Sequence, residues 1–189
     1  LSLCSLSYLP DYMLVGATNG LFLLEYSNNS WRARNKVKGF TRPAYKLGVD
    51  RDGNIWASTF LDIYRLRLND KLDSVIIEEQ CSVGNGLPTS FANAFTLKSG
   101  KVVFGTEKGV YDYLNGENMF VPDDDFRMLK GKIAQFTQAD NGDIWFEQIL
   151  EDGNSEKGVL KLANNRYEKY TTPFNKFKDI GGGDSPYNV

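Results

Sequence analysis

The sequence contains no histidine. Histidine is the commonest general base and a frequent metal ligand, so a Ser-His hydrolytic pair and a histidine-bearing zinc site are excluded within these residues. Long hydrophobic runs are also missing, since no stretch approaches the roughly 20 apolar residues that a membrane helix needs. We therefore expect no cofactor, no metal and no membrane contact for this segment.

Neither sign of charge is in excess, because 22 Lys and Arg face 24 Asp and Glu and leave a net charge of -2. Nothing in this balance favours a nucleic acid or an anionic lipid surface as a partner. Cysteine is scarce as well: Cys4 and Cys81 have no C-x-x-C spacing. We interpret both as buried thiols, with a disulfide between them as the open alternative.

A repeated stretch organises the sequence. Its best copy is 50–59, D-R-D-G-N-I-W-A-S-T, in which Gly53 lies six residues and Trp56 three residues before the anchor Thr59. Three further anchors have residues of related type at the same offsets: Thr18 with Tyr12 and Val15, Thr106 with Gly100 and Val103, and Gln148 with Gly142 and Trp145. The anchors are spaced 41, 47 and 42 residues apart, which is the range of propeller repeats.

Between these anchors the chain is divided into short strands by turn residues. In the first unit, strands are predicted at 13–18, 21–26 and 31–37, with Asn19-Gly20 as the hairpin turn. Four-stranded sheets of this kind bury both faces only by stacking on one another, as propeller blades do. The fold class is therefore all-β: a β-propeller of about four four-stranded antiparallel blades, which we expect to be part of a larger protein. As one domain over 1–189, its units are 1–41, 42–88, 89–131 and 132–184, and 185–189 begins a fifth.

Alternation along the second strand of each unit predicts which residues share a face. Trp56, Trp145, Val15 and Val103 are expected on one face, and Ile55, Ile144, Leu14 and Val102 on the other. Because both sets are apolar, we predict that Trp56 and Trp145 are buried between blades. Trp31 lies outside the repeat and is expected to be more exposed.

Three loop features have two interpretations each. The acidic stretch 123–130 suits one helical turn or a solvated loop. The residues 149–157 predict a hairpin that projects beyond its neighbours. Asp and Asn in D-R-D-G-N and A-D-N-G-D are calcium-ligand types, but the same residues are ordinary turn formers, and we interpret them as turns.

Three stretches resemble the regulator-propeller repeats in the periplasmic sensor region of Bacteroidetes hybrid two-component systems. They are D-R-D-G-N-I-W-A-S-T, G-A-T-N-G-L-F, and G-N-G-L-P followed by K-S-G-K-V-V-F-G-T-E-K-G-V. The first unit lacks the turn glycine, and Gln148 replaces the anchor threonine of the fourth. In that family, two propellers and a β-sandwich bind oligosaccharides and signal through a transmembrane helix to a histidine kinase. The resemblance implies a periplasmic segment for carbohydrate sensing and transcription regulation.

The motif residues are structural, so binding is expected on the loops at one end of the channel. The links between units and the turns after the second strands should share that end. Arg42, Tyr45 and Asn93 offer an aromatic face and planar polar groups there, which a sugar site needs. We take them as the candidate ligand-binding residues.

Three functions compete. The leading one is a non-catalytic ligand-sensing segment whose partners are an oligosaccharide, the remaining blades of the parent sensor and, through open blade faces, a second copy. The second is a polysaccharide-acting enzyme on a propeller scaffold, which would need paired carboxylates for glycoside hydrolysis. The third is a protein-interaction propeller.

Overall fold

A computed structural model describes residues 1–172 and 174, and arranges them as four antiparallel four-stranded sheets in which consecutive strands are neighbours. Each sheet is one blade. The strands are β1 (Ser2–Leu6), β2 (Leu9–Ala17), β3 (Gly20–Ser27) and β4 (Ser30–Val37) in blade 1; β5 (Lys46–Val49), β6 (Ile55–Ser58), β7 (Ile63–Leu68) and β8 (Val75–Cys81) in blade 2; β9 (Ala92–Thr96), β10 (Val102–Thr106), β11 (Gly109–Leu114) and β12 (Met119–Pro122) in blade 3; and β13 (Lys132–Gln138), β14 (Ile144–Ile149), β15 (Ser155–Ala163) and β16 (Arg166–Tyr170) in blade 4. The predicted fifth unit at 185–189 lies outside the described residues.

The hairpins follow from residues that accept a positive φ. Asn28 and Asn29 have φ of 51° and 58° in the two-residue turn between β3 and β4, and asparagine tolerates this region better than most residues. Gly53 provides φ of 81° in the turn before β6. Repeated turn chemistry of this kind produces the repeated sheets.

Three hydrophobic clusters hold the blades together, one between each consecutive pair. We call the face of a blade that meets the next blade in sequence its forward face, and the opposite one its backward face. Trp56 extends from the forward face of blade 2 into blade 3, is 2% exposed, and has its ring 5.1 Å from that of Phe104. Ile55, its neighbour on the strand, extends backward into the cluster shared with blade 1. Burial of Trp56 was predicted correctly.

The anchor of the first unit was placed one residue too late. Ala17 pairs with Gly20 across its hairpin just as Thr106 pairs with Gly109, so Ala17 and not Thr18 is the equivalent position. Leu14 therefore belongs to the forward set and is fully buried against blade 2, while Val15 lies on the backward face. The missing turn glycine concealed this shift in the sequence.

Burial of Trp145 was also predicted, and this was wrong. Its side chain is 49% exposed, similar to the 45% of Trp31, whose exposure was expected. Trp145 is on the forward face as the repeat requires, but no described blade follows blade 4 to cover it. Leu3, on the backward face of blade 1, is 63% exposed, so blades 1 and 4 do not cover each other. The described blades form an open arc.

The loops resolve the remaining alternatives. A short 3-10 helix at Asp124–Phe126 replaces the predicted helical turn at 123–130, and the Asp123 carboxylate caps it by accepting the N–H of Asp125. The last hairpin extends by one pair, Ile149 with Ser155, beyond the anchor Gln148. Within the described ranges, no helix is long and apolar enough to cross a membrane.

Candidate ligand-binding end of the arc

The strand register places the links between blades and the turns after the second strands at one end of the arc. The first residue of an inner strand pairs with the last residues of the second strand: Lys46 with Ser58, Ala92 with Thr106, and Lys132 with Ile149. The chain therefore enters each of these blades beside the turn that joins its second and third strands. We call this end the loop end, and it is where the candidate binding residues lie.

Arg42 is exposed in the link before blade 2, and its guanidinium carbon lies 5.3 Å from the ring centre of Tyr64. A guanidinium above an aromatic face is a favourable electrostatic contact. The Tyr64 hydroxyl donates to the Asp62 carboxylate at 3.4 Å, and the Gln80 side-chain amide donates to the same oxygen at 3.0 Å. Burial, and then the Asp62 charge, raise the pKa of Tyr64, so its hydroxyl remains a donor at neutral pH.

Tyr45 lies three residues further along the same link. Its N–H donates to the carbonyl of Ser58, and its ring packs edge-on against Phe60 with 4.4 Å between centroids. Tyr45 is 39% exposed and Phe60 68% exposed. Arg42 and Tyr45 thus lie around one turn, Thr59 to Asp62, and an exposed aromatic pair stands beside a cation.

That turn is held rigid by the anchor threonine. The Thr59 hydroxyl donates to the carbonyl of Asp62 at 2.9 Å and accepts the N–H groups of Leu61 and Asp62. Thr106 does the same in blade 3, donating to the carbonyl of Gly109 and accepting the N–H of Lys108. The anchor is therefore structural, and Phe60 and Leu61 are displayed at a fixed position.

Asn93 is half-buried on β9 of blade 3, opposite Gly105. Beside it, Phe91 lies under Lys132 of blade 4, with the ammonium 4.4 Å from the ring centre. This second pairing of an aromatic ring and a cation was not predicted from the sequence. An aromatic residue directly before an inner strand, as Tyr45 also is, was the signal that could have found it.

At the opposite end of the arc, the acidic turn of D-R-D-G-N is fully engaged within the fold. One Asp50 oxygen accepts the N–H groups of Asp52 and Asn54, and the other accepts the Asn54 amide and the Trp56 indole N–H at 3.0 Å. In the part of the chain that the structure describes, no group of three or more His, Cys, Asp or Glu residues could hold a metal. The carboxylate serves to orient Trp56 within the blade interface.

The concave surfaces lie away from Arg42 and Tyr45. An open cavity of about 380 Å³ is lined by Asp124, Asp125, Arg127, Met128, Arg166 and Tyr167. A groove of about 170 Å³ runs between blades 2 and 3 beside Trp56 and Lys101. The candidate residues at the loop end form a raised patch, so the burial that a complete site requires would have to come from further parts of a protein.

Both cysteines are free thiols. Burial raises the pKa of Cys81 to about 12 and that of Cys4 to about 11. A buried protonated thiol is a poor nucleophile, so neither residue has the thiolate that covalent chemistry would need.

Fold and register together define this chain as a segment of a β-propeller with four successive blades in an open arc. It is similar to the extracellular domain of the hybrid two-component system BT3049 of B. thetaiotaomicron, with 19% identity and a TM-score of 0.57 over 99% of this chain. It is also similar to the extracellular domain of the hybrid two-component system BT4673 from the same organism, with 14% identity and a TM-score of 0.51 over 94% of the chain.

The chain spans 22% of the length of each of these two structures. A third similar structure is a Trichoderma reesei protein of Carbohydrate-Active Enzymes Family AA12, with 16% identity and a TM-score of 0.55; the match covers 96% of this chain and 59% of that one. No protein-family model matches the sequence, and no curated protein does. At these identities the likeness establishes the propeller fold, and it agrees with the resemblance to regulator-propeller repeats.

Proposed function

We propose that this chain is a non-catalytic ligand-sensing segment from the periplasmic part of a hybrid two-component sensor. The observation that supports this best is the patch at the loop end, where Arg42, Tyr45 and Phe60 surround one rigid turn. Its ligand is an oligosaccharide, and its binding signals through the parent sensor to transcription.

The chemistry of the patch suits a carbohydrate. The exposed rings of Tyr45 and Phe60 offer apolar faces to the C–H surface of a sugar ring, and aromatic residues with a polar tip are suited to such mixed surfaces. The Arg42 guanidinium offers planar donors, and Asn93 supplies an amide on the neighbouring blade. Further blades would complete the walls of the site.

An enzyme on a propeller scaffold is the second candidate, because the AA12 structure has a similar fold. The carboxylate nearest the patch, Asp62, already accepts hydrogen bonds from Tyr64 and Gln80. Glycoside hydrolysis requires two carboxyl groups across the scissile bond. A reducing-end assay with candidate polysaccharides separates the two functions, and release of new reducing ends would contradict the sensing proposal.

A protein-interaction propeller is the third candidate, since Phe60 and Leu61 are each 68% exposed. Exposed apolar residues at a loop tip are common in protein-binding surfaces. Capture of a protein that is lost on Phe60→Ser, with no glycan binding in the same preparation, would favour this function over sugar recognition.

The direct test is isothermal titration of the chain against a panel of plant and host glycan fragments. We expect weak binding to one glycan class, abolished by Tyr45→Ala and weakened by Arg42→Ala. Arg51→Ala is the matched control, because Arg51 is an exposed arginine of the same blade at the opposite end. Absence of binding to every glycan contradicts the ligand class, whereas binding that Arg42→Ala and Tyr45→Ala leave unchanged contradicts the assignment of the patch.

A further inference from the structure

We propose that the forward face of blade 4 is a docking surface for the backward face of blade 1 of a second copy of this chain. This goes beyond the sensing function and depends on different residues. The argument starts from the three interfaces between consecutive blades, which show what a forward face does when it is covered.

At each covered interface, the residue three places before the anchor enters the next blade. Leu14 and Val103 are fully buried in this way, and Trp56 is 2% exposed. Trp145 is the equivalent residue of blade 4 and is 49% exposed. A large aromatic side chain at a position that the fold otherwise buries is an unpaired half of an interface.

The link after blade 4 has already taken up the arrangement of a covered interface. The links after blades 1 and 3 each place a phenylalanine between two blades, Phe40 and Phe126, and both are 1% exposed. After blade 4, Phe174 packs edge-on against Trp145, with 5.6 Å between ring centroids. Trp145 and Phe174 thus form the forward side of an interface that continues the three observed ones.

Blade 1 presents the complementary side. Backward faces carry two apolar residues on the second strand: Ile55 with Ala57, Val102 with Phe104, and Ile144 with Phe146. In blade 1 the equivalent pair is Met13 with Val15, and their partners across the strands are Leu3, Phe22 and Leu24. This face carries no charge at those five positions and is covered by no described blade.

One residue of blade 4 departs from the pattern and sets the strength of the contact. The residue just before the anchor is Gly16, Ser58 or Gly105 at the covered interfaces, where a Cβ on either glycine would lie 2.6 to 2.8 Å from the next blade. In blade 4 it is Glu147, which accepts the Ser155 hydroxyl at 2.7 Å and pairs with Lys157 at 3.6 Å. Covering this charged pair costs desolvation, so the association should be weaker than an interface within the chain.

A contact between two different faces is heterologous, and such contacts close into rings or extend as filaments. Two copies joined at both ends would make a ring of eight blades. Sedimentation velocity over a concentration series therefore measures the proposal directly: we expect concentration-dependent association of the chain, with a shift of Trp145 emission to shorter wavelength.

Three variants make the test specific. Trp145→Glu should weaken association by more than about tenfold, because an aromatic anchor at the centre of an interface carries at least that much. Trp31→Glu should leave it unchanged, since Trp31 is equally exposed but lies on the outer strand of blade 1. Glu147→Ser should strengthen association, because Ser58 occupies this position in blade 2 and accepts the N–H of Ala94 from blade 3 at 3.0 Å.

The strengthening by Glu147→Ser is the outcome that non-specific adhesion cannot reproduce. A chain that stays monomeric at every concentration overturns the proposal. So does an association that Trp31→Glu and Trp145→Glu weaken equally, or one that Glu147→Ser weakens. Circular dichroism of each variant confirms that the blades remain folded.

Discussion

Trp56 and Trp145 occupy the same position of the repeat in blades 2 and 4, yet their surroundings differ. Trp56 is 2% exposed, donates its indole N–H to Asp50 and packs against the rings of Phe104 and Tyr113. Trp145 is 49% exposed and meets only the ring of Phe174 among the described aromatic residues. The comparison shows that the repeat fixes the strand and the face of a residue, whereas its burial depends on the blade that follows.

The residues just before the anchors extend this comparison. Gly105 lets β9 and β13 approach closely, and Ser58 replaces a missing contact with a hydrogen bond to the next blade. Glu147 has no covering blade and uses its carboxylate within its own sheet. Small residues are thus required where blades meet, and a charged residue is tolerated where they do not.

The largest expected difference is between truncations of the two tryptophans. Trp56→Ala should lower the free energy of unfolding by about 3 to 5 kcal/mol, because it removes a fully packed aromatic side chain. Trp145→Ala should cost about 1 kcal/mol or less, as ordinary surface substitutions do. Urea unfolding followed by circular dichroism measures both, and equal losses would mean that the two positions are equally packed.

The next comparison concerns the close approach of blades. Gly105→Ala would place a Cβ 2.8 Å from the side chains of Ile133 and Phe95, so we expect a loss of about 1 to 3 kcal/mol from overpacking. Glu147→Ala at the equivalent position breaks only a partly exposed ion pair, worth about 1 kcal/mol or less. A Gly105→Ala variant as stable as the parent would show that blades 3 and 4 are less tightly packed than this structure has them.

The smallest expected effect concerns pH. Burial raises the pKa of Cys81 to about 12 from an ordinary value of about 9, and that of Cys4 to about 11. The folded chain therefore keeps these protons when the unfolded chain has lost them, and the stability they provide is present below pH 9 and decreases as pH rises above it. Cys81→Ala should flatten this decline more than Cys4→Ala does, as measured by the urea midpoint between pH 8 and 11. An unchanged slope in both variants would show that the thiols are not the source.

Much of the fold could be predicted because turn residues and alternation act locally. Gly53 and Gly100 mark turns, and the apolar pair Ile55-Trp56 marks a strand that is buried on both faces. The errors arose where a local pattern was incomplete. Without a turn glycine in blade 1, Thr18 was taken for Ala17, and burial of Trp145 required a neighbouring blade that the repeat itself does not specify.

The candidate site was less predictable. Register explains why Arg42 and Tyr45 share the loop end, since interblade links and second-strand turns meet there. The contact of Arg42 with Tyr64 and that of Lys132 with Phe91 depend on side chains from different strands or blades, which spacing along the chain does not reveal. The binding role of Arg42, Tyr45 and Asn93 stays a prediction.

Acrylamide quenching of single-tryptophan variants at high dilution tests the central claim most directly. One variant retains only Trp56 and the other only Trp145, with phenylalanine at the remaining tryptophan positions. The account predicts short-wavelength, weakly quenched emission from Trp56 between blades 2 and 3, and long-wavelength, readily quenched emission from Trp145 on the open face of blade 4. Equal quenching of the two would contradict the open four-blade arc.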